Sequence, residues 1–349
     1  VPSSDFHPSE ESGLSRVASF LEGIFGVPAG SPLTGLDFLR WKYFEPRQDW
    51  AGPRSYVLES GGSIRAHGAI WPSTLITPAG RHTAFNFIDW AAEASRTGAG
   101  VALLQKMSRL AEVVIVLGGS AQARKILPVA GFKKSSSIRY FARPLRPVAQ
   151  LAGSWRWNWK APARVGRNVW LRLVPPIRPM PGWSLDPAGP RELSELFRAR
   201  DEDPAGGARF ARSAELIDYY LQCPIVRSQA FVLRRGQQSR GYAVITQAGR
   251  QARIVDAWVA SDGLEEWRAL FGLCLLGALE SGQAYELATL TSSEPAGAAL
   301  EASGFAARGS EALMWFNRSG LDLTAMPVRL QMLDCDASFV HEGTAQFWT

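Results

Sequence analysis

The stretch Ser95-Arg96-Thr97-Gly98-Ala99-Gly100-Val101-Ala102 has the residue types of an anion cradle. Small side chains let backbone amides approach a phosphate, and a helix N-terminus that follows adds partial positive charge. Helical character sets in from Gly100, so a pyrophosphate would be held by the amides of Gly98 to Ala102. A dinucleotide fingerprint is excluded, because Leu103 stands where its third glycine belongs. No phosphate-binding P-loop occurs either. A strand over Thr83–Ala91 leads into the turn and carries Asp89, with Glu93 just beyond it. These two carboxylates, together with His67 in the preceding hairpin, are the candidate general bases near the turn. A lone histidine in a strand serves structure as readily as chemistry.

Positioning these residues requires a particular run of elements. Leu14, Val17, Leu21, Ile24 and Phe25 make one apolar face of a helix over Gly13–Phe25, ended by Gly26 and Pro28. A second helix is predicted over Thr34–Phe44. A hairpin turns at Gly61-Gly62. Glu112–Leu117 is a β-branched run of the buried parallel type. Ser120 is placed to cap a helix over Ala121–Val129, which Gly131-Phe132 closes. A strand over Ile138–Ala142 ends this half. The order then repeats. Tyr56-Val57-Leu58 recurs as Phe231-Val232-Leu233, and Gly131-Phe132 as Gly304-Phe305, displaced by nearly the same number of residues. The chain reads as a duplication of fold rather than of close sequence.

The order helix, helix, hairpin, strand, Gly-rich turn, helix, strand, helix, Gly-Phe, strand resembles the GNAT acyltransferase superfamily. The residues that carry the likeness run from Ser95 to Leu104 and from Ala123 to Phe132. It covers roughly residues 12–143 and, more weakly, 188–317, and is similar to the tandem GNAT arrangement among bacterial polysaccharide or cell-envelope proteins. The resemblance implies an α/β (mixed α+β sheet) fold of two tandem GNAT-like domains. Each would have a mostly antiparallel sheet with a splayed parallel pair and flanking helices. It implies residues 1–147 as the acyl-CoA domain, 148–187 as a basic connector and 188–349 as a second domain degenerate for coenzyme A. The co-substrate would be acetyl-CoA or another acyl-CoA, with no metal. The acceptor would be an amine or, less often, a hydroxyl, received in the cleft between the halves.

The resemblance further implies a coenzyme site of Trp90, Ala91, Ser95, Arg96, Thr97, Gly98, Ala99, Gly100, Val101, Ala102, Ser120 and Arg124. The oxyanion contact would come from the backbone around Asp89–Ala91. Ser120 is either a contact or only a cap, and Arg124 either reaches a phosphate or points outward. The superfamily often protonates the departing thiolate with a Tyr five residues before the Gly-Phe aromatic. Leu127 and Leu300 stand there in the two halves, which leaves Tyr140 or solvent as the acid. In the second half Asp262, Glu265 and Glu266 precede the corresponding helix. Carboxylates there suit the helix dipole and repel a pyrophosphate. Two alternatives stay open: a non-catalytic binding protein, and a Fem-type aminoacyl transferase, although the long helical arm common in that class is absent.

Composition bounds the rest. With 349 residues, 46% hydrophobic and 20% charged, the chain can bury two ordinary cores. No apolar run is long enough to span a bilayer. Nothing at the start reads as a secretory signal, so a cytoplasmic location with reduced thiols at Cys223, Cys274 and Cys335 is expected. His7, His67, His82 and His341 lack ligand spacing, so no metal site is expected. Asp334-Cys335-Asp336 has the form of the Asp-x-Asp metal motif of glycosyltransferases, with nothing else to support it. Between Lys133 and Arg178 there are eleven Lys or Arg and no acid, with Trp155, Trp157, Trp159 and Trp170 among them. This window is a solvated linker, a contact to an anionic membrane, or a site for an acidic or sugar-bearing acceptor. Single-stranded nucleic acid fits the composition, but no RNA-binding motif accompanies it.

Overall fold

A computed structural model describes residues 5–94, 98–153, 161–176, 180–203, 207–318, 320–339 and 347–349. The first half contains β1 (Asp5–Pro8), α1 (Leu14–Phe25), α2 (Leu36–Tyr43), β2 (Ser55–Ser60), β3 (Ser63–Thr77), β4 (Gly80–Ala92), α3 (Ala99–Met107), β5 (Val113–Val116), α4 (Ala121–Val129) and β6 (Lys133–Pro144). Then come α5 (Pro147–Gly153), α6 (Ala161–Leu173) and β7 (Trp183–Pro187). The second half follows with α7 (Ser194–Glu202), β8 (Ala208–Phe210), α8 (Ala214–Leu221), β9 (Arg227–Arg235), β10 (Gln238–Ala248), β11 (Gln251–Val259), α9 (Leu264–Ser281), β12 (Glu286–Thr291), α10 (Glu294–Ala302), β13 (Ala306–Asn317) and β14 (Val328–Arg329).

The local signals act as expected except at the end of α1. Ile24 and Phe25, read as part of its apolar face, are exposed because the last turn runs past the core the helix packs on, and the buried face stops at Leu21. Leu14, Val17, Ala18 and Leu21 bury one face of α1, and Gly26 ends it in the left-handed region at φ 65°. The Ser120 hydroxyl accepts from the Ala123 amide at the start of α4.

One sheet runs through both halves in the order β1-β2-β3-β4-β5-β13-β6-β12-β11-β10-β9-β7. Along it only β4–β5 and β11–β12 pair in parallel. Those are the two splayed pairs of the expected fold, flanked by antiparallel ladders on either side. At the seam the halves trade last strands. β13 lies against β5, and β6 lies between β13 and β12. Three apolar clusters fill the two faces of this sheet.

Two regions depart from the expectation. The stretch read as a connector holds α5, α6 and β7, and β7 extends the second half's sheet by pairing with β9. Its Pro and Arg content masked these elements. The C-terminal residues 328–339, given no element from sequence, form a strap across both halves. β14 pairs with β8, Trp71 Nε1 donates to the Leu333 carbonyl at 3.1 Å, and Phe339 packs on Trp41, Trp71 and Tyr220. Cys223, Cys274 and Cys335 are buried free thiols, as expected. Burial pushes Cys223 and Cys274 up to about 12.

Candidate active site

β4 and β5 pair only over Ala84↔Val113, Phe85↔Val114 and Asn86↔Ile115, and then part. β4 runs on to Ala92 paired only with β3, while β5 ends at Val116 and turns through Gly118 and Gly119 at φ 78° and 100°. Beside the opening, the β3–β4 ladder slips register between His67↔Ala91 and Ala69↔Ile88. This is a bulge, with Asp89 at φ 50°. Gly68 makes room for it. A Cβ there would stand 2.5 Å from the Phe87 ring and 2.9 Å from the Met107 sulfur.

Buried polar groups hold the bulge. The Asp89 carboxylate accepts from the Tyr43 hydroxyl at 2.6 Å and pairs with the Lys42 ammonium at 2.7 Å. Lys42 also pairs with Asp336 of the strap, at 2.9 Å. Burial alone would raise the Asp89 carboxyl, but Lys42 and Tyr43 outweigh it and hold it below the usual range. Burial alone would lower Lys42, and the two carboxylates raise it instead.

His67 is fully buried. Its Nδ1 lies 3.1 Å from the Asp89 carbonyl, and its Nε2 lies 2.9 Å from the Ser55 hydroxyl. A carbonyl only accepts, so Nδ1 carries the proton and Nε2 accepts from Ser55. Burial, and to a lesser extent Lys42, lower its pKa against the pull of Asp89. The imidazole is neutral with both nitrogens engaged. His67, a candidate base from sequence, therefore pins the bulge.

The N-terminus of α3 lies beyond the end of β4. Gly98 is exposed at φ 95°, and a Cβ there would meet nothing within 4 Å. Ser95, Arg96 and Thr97 lie outside the described residues. The Ala102 amide already bonds the Gly98 carbonyl at 2.9 Å, so the donors for a phosphate are those of residues 98–101. Val101 is half-buried in the first turn. Trp90 braces the turn by donating from Nε1 to the Gly100 carbonyl at 3.1 Å, and Ala91 is buried beneath. Gly100 is not open. A Cβ there would stand 3.1 Å from the Ala92 Cβ and 3.2 Å from Trp90 Nε1.

The remaining candidates divide. Glu93 is held bidentately by Arg65 at 2.9 and 3.2 Å. Leu127 is core, with no exposure. Tyr140 donates to Glu311 Oε2 at 2.9 Å, and Arg124 donates to Glu311 Oε1 at 3.2 Å. Glu311 was not legible in sequence as a site residue. It lies on β13 and reaches the first half only through the strand exchange. Its Oε2 is 3.6 Å from where a Cβ on Gly118 would be, so it faces the end of β5 at the opening. Burial and then Glu311 push the Tyr140 phenol well above its ordinary value, and it stays protonated. Lys42 and Tyr43 were missed too, since nothing in their local sequence marks them, and Asp336 was noted only as part of an Asp-x-Asp motif and not as a partner of Lys42.

The second opening is narrowed by the protein's own side chains to a cavity of about 30 Å³. β11 and β12 pair through Ile254↔Thr289 and then part. The Gln331 carboxamide lies against the freed strand: its Oε1 accepts from the Ala257 amide at 2.7 Å and its Nε2 donates to the Ala257 carbonyl at 2.5 Å. At the start of α9 the Glu266 carboxylate accepts from the Ser261 amide at 2.9 Å and from Arg240 Nε at 2.7 Å. Burial opposes its ionisation, but Ser261 and Arg240 hold it below the usual range. Asp262 pairs with Arg329 at 2.8 Å, and the exposed Glu265 with Arg235 at 3.4 Å.

The Asp-x-Asp pair is likewise accounted for. Asp334 pairs with Arg212 at 2.7 Å, while Asp336 pairs with Lys42. Among the described residues no group of three His, Cys, Asp or Glu could hold a metal. A cavity of about 780 Å³ opens between α2, the 45–49 loop and α8. It reaches Arg81, eight residues from Asp89 and roughly 25 Å of extended strand away. It is not the β4–β5 opening.

No protein-family model matches the chain, and no curated protein matches its sequence. Solved structures do match. A GCN5-related N-acetyltransferase from Anabaena variabilis superposes with a TM-score of 0.59 at 11% identity, over 90% of this chain and 72% of that one. A tandem GNAT protein from the clavulanic acid biosynthesis pathway gives 0.58 at 13%, over 92% and 100%. Saccharomyces cerevisiae N-myristoyltransferase, solved with bound myristoyl-CoA and inhibitors, gives 0.59 at 12%, over 91% and 81%. The fold is that of the GNAT acyltransferases. At such identities the likeness is one of fold, and the chemistry must be argued from this chain's own residues. Among the described residues, no helix of this GNAT-fold chain is long and apolar enough to cross a membrane.

Proposed function

We propose that the protein transfers an acyl group from acyl-coenzyme A to an amine, with one coenzyme per chain in the β4–β5 opening of the first half. The observation that carries this reading is the difference between the two openings. The first leads past the Asp89 bulge to the bare Gly98 turn, whereas Gln331 and Glu266 fill the second. A carboxamide and a carboxylate stand there at positions that suit a pantetheine amide and a phosphate.

In the first opening, the amides of residues 98–101 bind the pyrophosphate. The β4 backbone at the bulge offers its unpaired groups to the pantetheine and the acyl carbonyl. Asp89, Lys42, Tyr43 and His67 fix that backbone. Coenzyme A supplies an activated thioester and a thiolate leaving group. Glu311 faces the opening from the far side and takes the proton of the attacking amine, with Tyr140 and Arg124 orienting it. A phenol that holds its proton as tightly as Tyr140 is a poor donor to a thiolate, so solvent protonates the leaving group.

The test is thiol release from acetyl-CoA across a panel of primary amines. Acceptor-dependent release is expected. Glu311→Gln should lower it by roughly 10²–10⁴-fold with acetyl-CoA binding unchanged. Binding without release for any amine would favour the non-catalytic reading, and an undiminished Glu311→Gln rate would remove Glu311 from the chemistry.

A further inference from the structure

The helix α6 is built with its apolar side outward. Val169, Trp170, Leu173 and the adjoining Val174 are 38%, 59%, 60% and 44% exposed. Gly166 and Ala163, one and two turns earlier on that face, are exposed too. Polar groups fasten the inner side. Buried Asn168 donates to Gln150 Oε1 at 3.1 Å, Arg172 Nε donates to the Leu145 carbonyl at 3.2 Å, and Arg143 donates to the Arg172 carbonyl at 3.2 Å. Val148 on neighbouring α5 adds a side chain 71% exposed. A soluble helix normally turns such a stripe toward the core.

Charge selects the partner. Arg164 and the exposed Arg167, which also donates to Asn168 Oδ1 at 2.9 and 3.1 Å, lie on this helix beside the inward-bonded Arg172, and no Asp or Glu occurs from Lys133 to Arg178. We propose that α6, with Val148, is a docking face for a bilayer surface bearing anionic lipids. An interfacial helix lies flat, sinks its apolar stripe to the acyl boundary and meets headgroup charge with flanking cations. An acidic glycan or a nucleic acid would neutralise the arginines but leave Val148, Val169 and Leu173 in water. A second copy of the chain would bring two basic faces together. Only the anionic bilayer matches both features, and it seats the enzyme on a surface without a spanning segment.

Co-sedimentation of the full chain with vesicles tests this. Binding is expected to phosphatidylcholine vesicles containing phosphatidylglycerol at low salt. It should weaken as salt rises and vanish on phosphatidylcholine alone. Trp170→Glu with Leu173→Glu should abolish binding while circular dichroism and acetyl-CoA affinity stay unchanged. Arg164→Gln with Arg167→Gln should weaken it by more than tenfold, since each cation near such a surface contributes about fivefold. No binding to the mixed vesicles, or binding that survives the Trp170/Leu173 change, would overturn the proposal. So would binding to a soluble acidic glycan that depends on the arginines while the vesicles are ignored.

Discussion

Ala99→Glu is expected to abolish acetyl-CoA binding while the fold stays intact. Ala99 is the first residue of α3, directly after the exposed Gly98. A carboxylate at that position suits the helix dipole, which favours it by about 0.3–1 kcal/mol. In the proposed site the same carboxylate would stand among the amides of residues 98–101 that bind the pyrophosphate. The Ala99 methyl is half-buried against the first half's core, so the Ala99→Lys variant serves as the packing control. One like-charge pair 4 Å apart costs about 4 kcal/mol at an effective dielectric near 20, roughly a thousandfold in affinity. Ala99→Lys, which carries the opposite charge, should retain binding. Gly100→Asp is a less clean variant, because its Cβ would push on Trp90 and Ala92 and disturb the turn as well as the charge. Calorimetry with circular dichroism reads both effects. Normal affinity in Ala99→Glu would show that the phosphates sit elsewhere.

Arg212→Leu is expected to give the largest loss of stability. Arg212 is buried between two buried carboxylates. It bonds Asp256 at 2.9 and 3.0 Å and pairs with Asp334 at 2.7 Å, while Tyr242 donates to Asp256 at 2.9 Å. The group joins β11 to the strap. Removing the cation leaves two uncompensated buried carboxylates, at a cost of about 3–5 kcal/mol. The pH dependence has a definite sign. In the parent, burial alone would raise Asp256, but Arg212 and its neighbours hold it below its ordinary value. That group therefore contributes stability present above the unfolded carboxyl range and lost as pH falls through the depressed value. Burial raises Asp334 above its ordinary value, with Asp256 adding to the rise and Arg212 opposing it, and its contribution runs the other way. Without Arg212 both carboxyls are expected to sit high, and the folded state then gains protons as pH falls. Urea unfolding at pH 7 and pH 5 should show the variant's deficit shrinking at the lower pH. An equal deficit at both would mean the cost is one of packing rather than charge.

Much of the scaffold was legible because its signals are local. The glycine pair at 61–62, the Ser120 cap and the apolar face of α1 each act within one turn or one hairpin. The resemblance implied a splayed parallel pair in each half, and both are present. What stayed hidden depends on distant partners. His67 became a pin only because Ser55 and the Asp89 carbonyl take both its nitrogens. Glu311 enters the site through a strand exchange that no local pattern encodes. Lys42 and Asp336 meet across nearly the whole chain. The second half's acids were read as free charges repelling phosphate, whereas Glu266 is bonded to the Ser261 amide and Arg240, and Gln331 was not noticed. Helix α6 escaped notice because its stripe is turned outward and its anchors are polar, the reverse of the usual pattern.

The most direct test of the account is the stoichiometry of acetyl-CoA binding to the parent chain. Two openings exist where parallel strands part, and they differ in Gln331 and Glu266. Isothermal titration should give one equivalent per chain. Two equivalents would contradict the account by showing the second opening to be competent, and no saturable binding would contradict it by removing the coenzyme from the first.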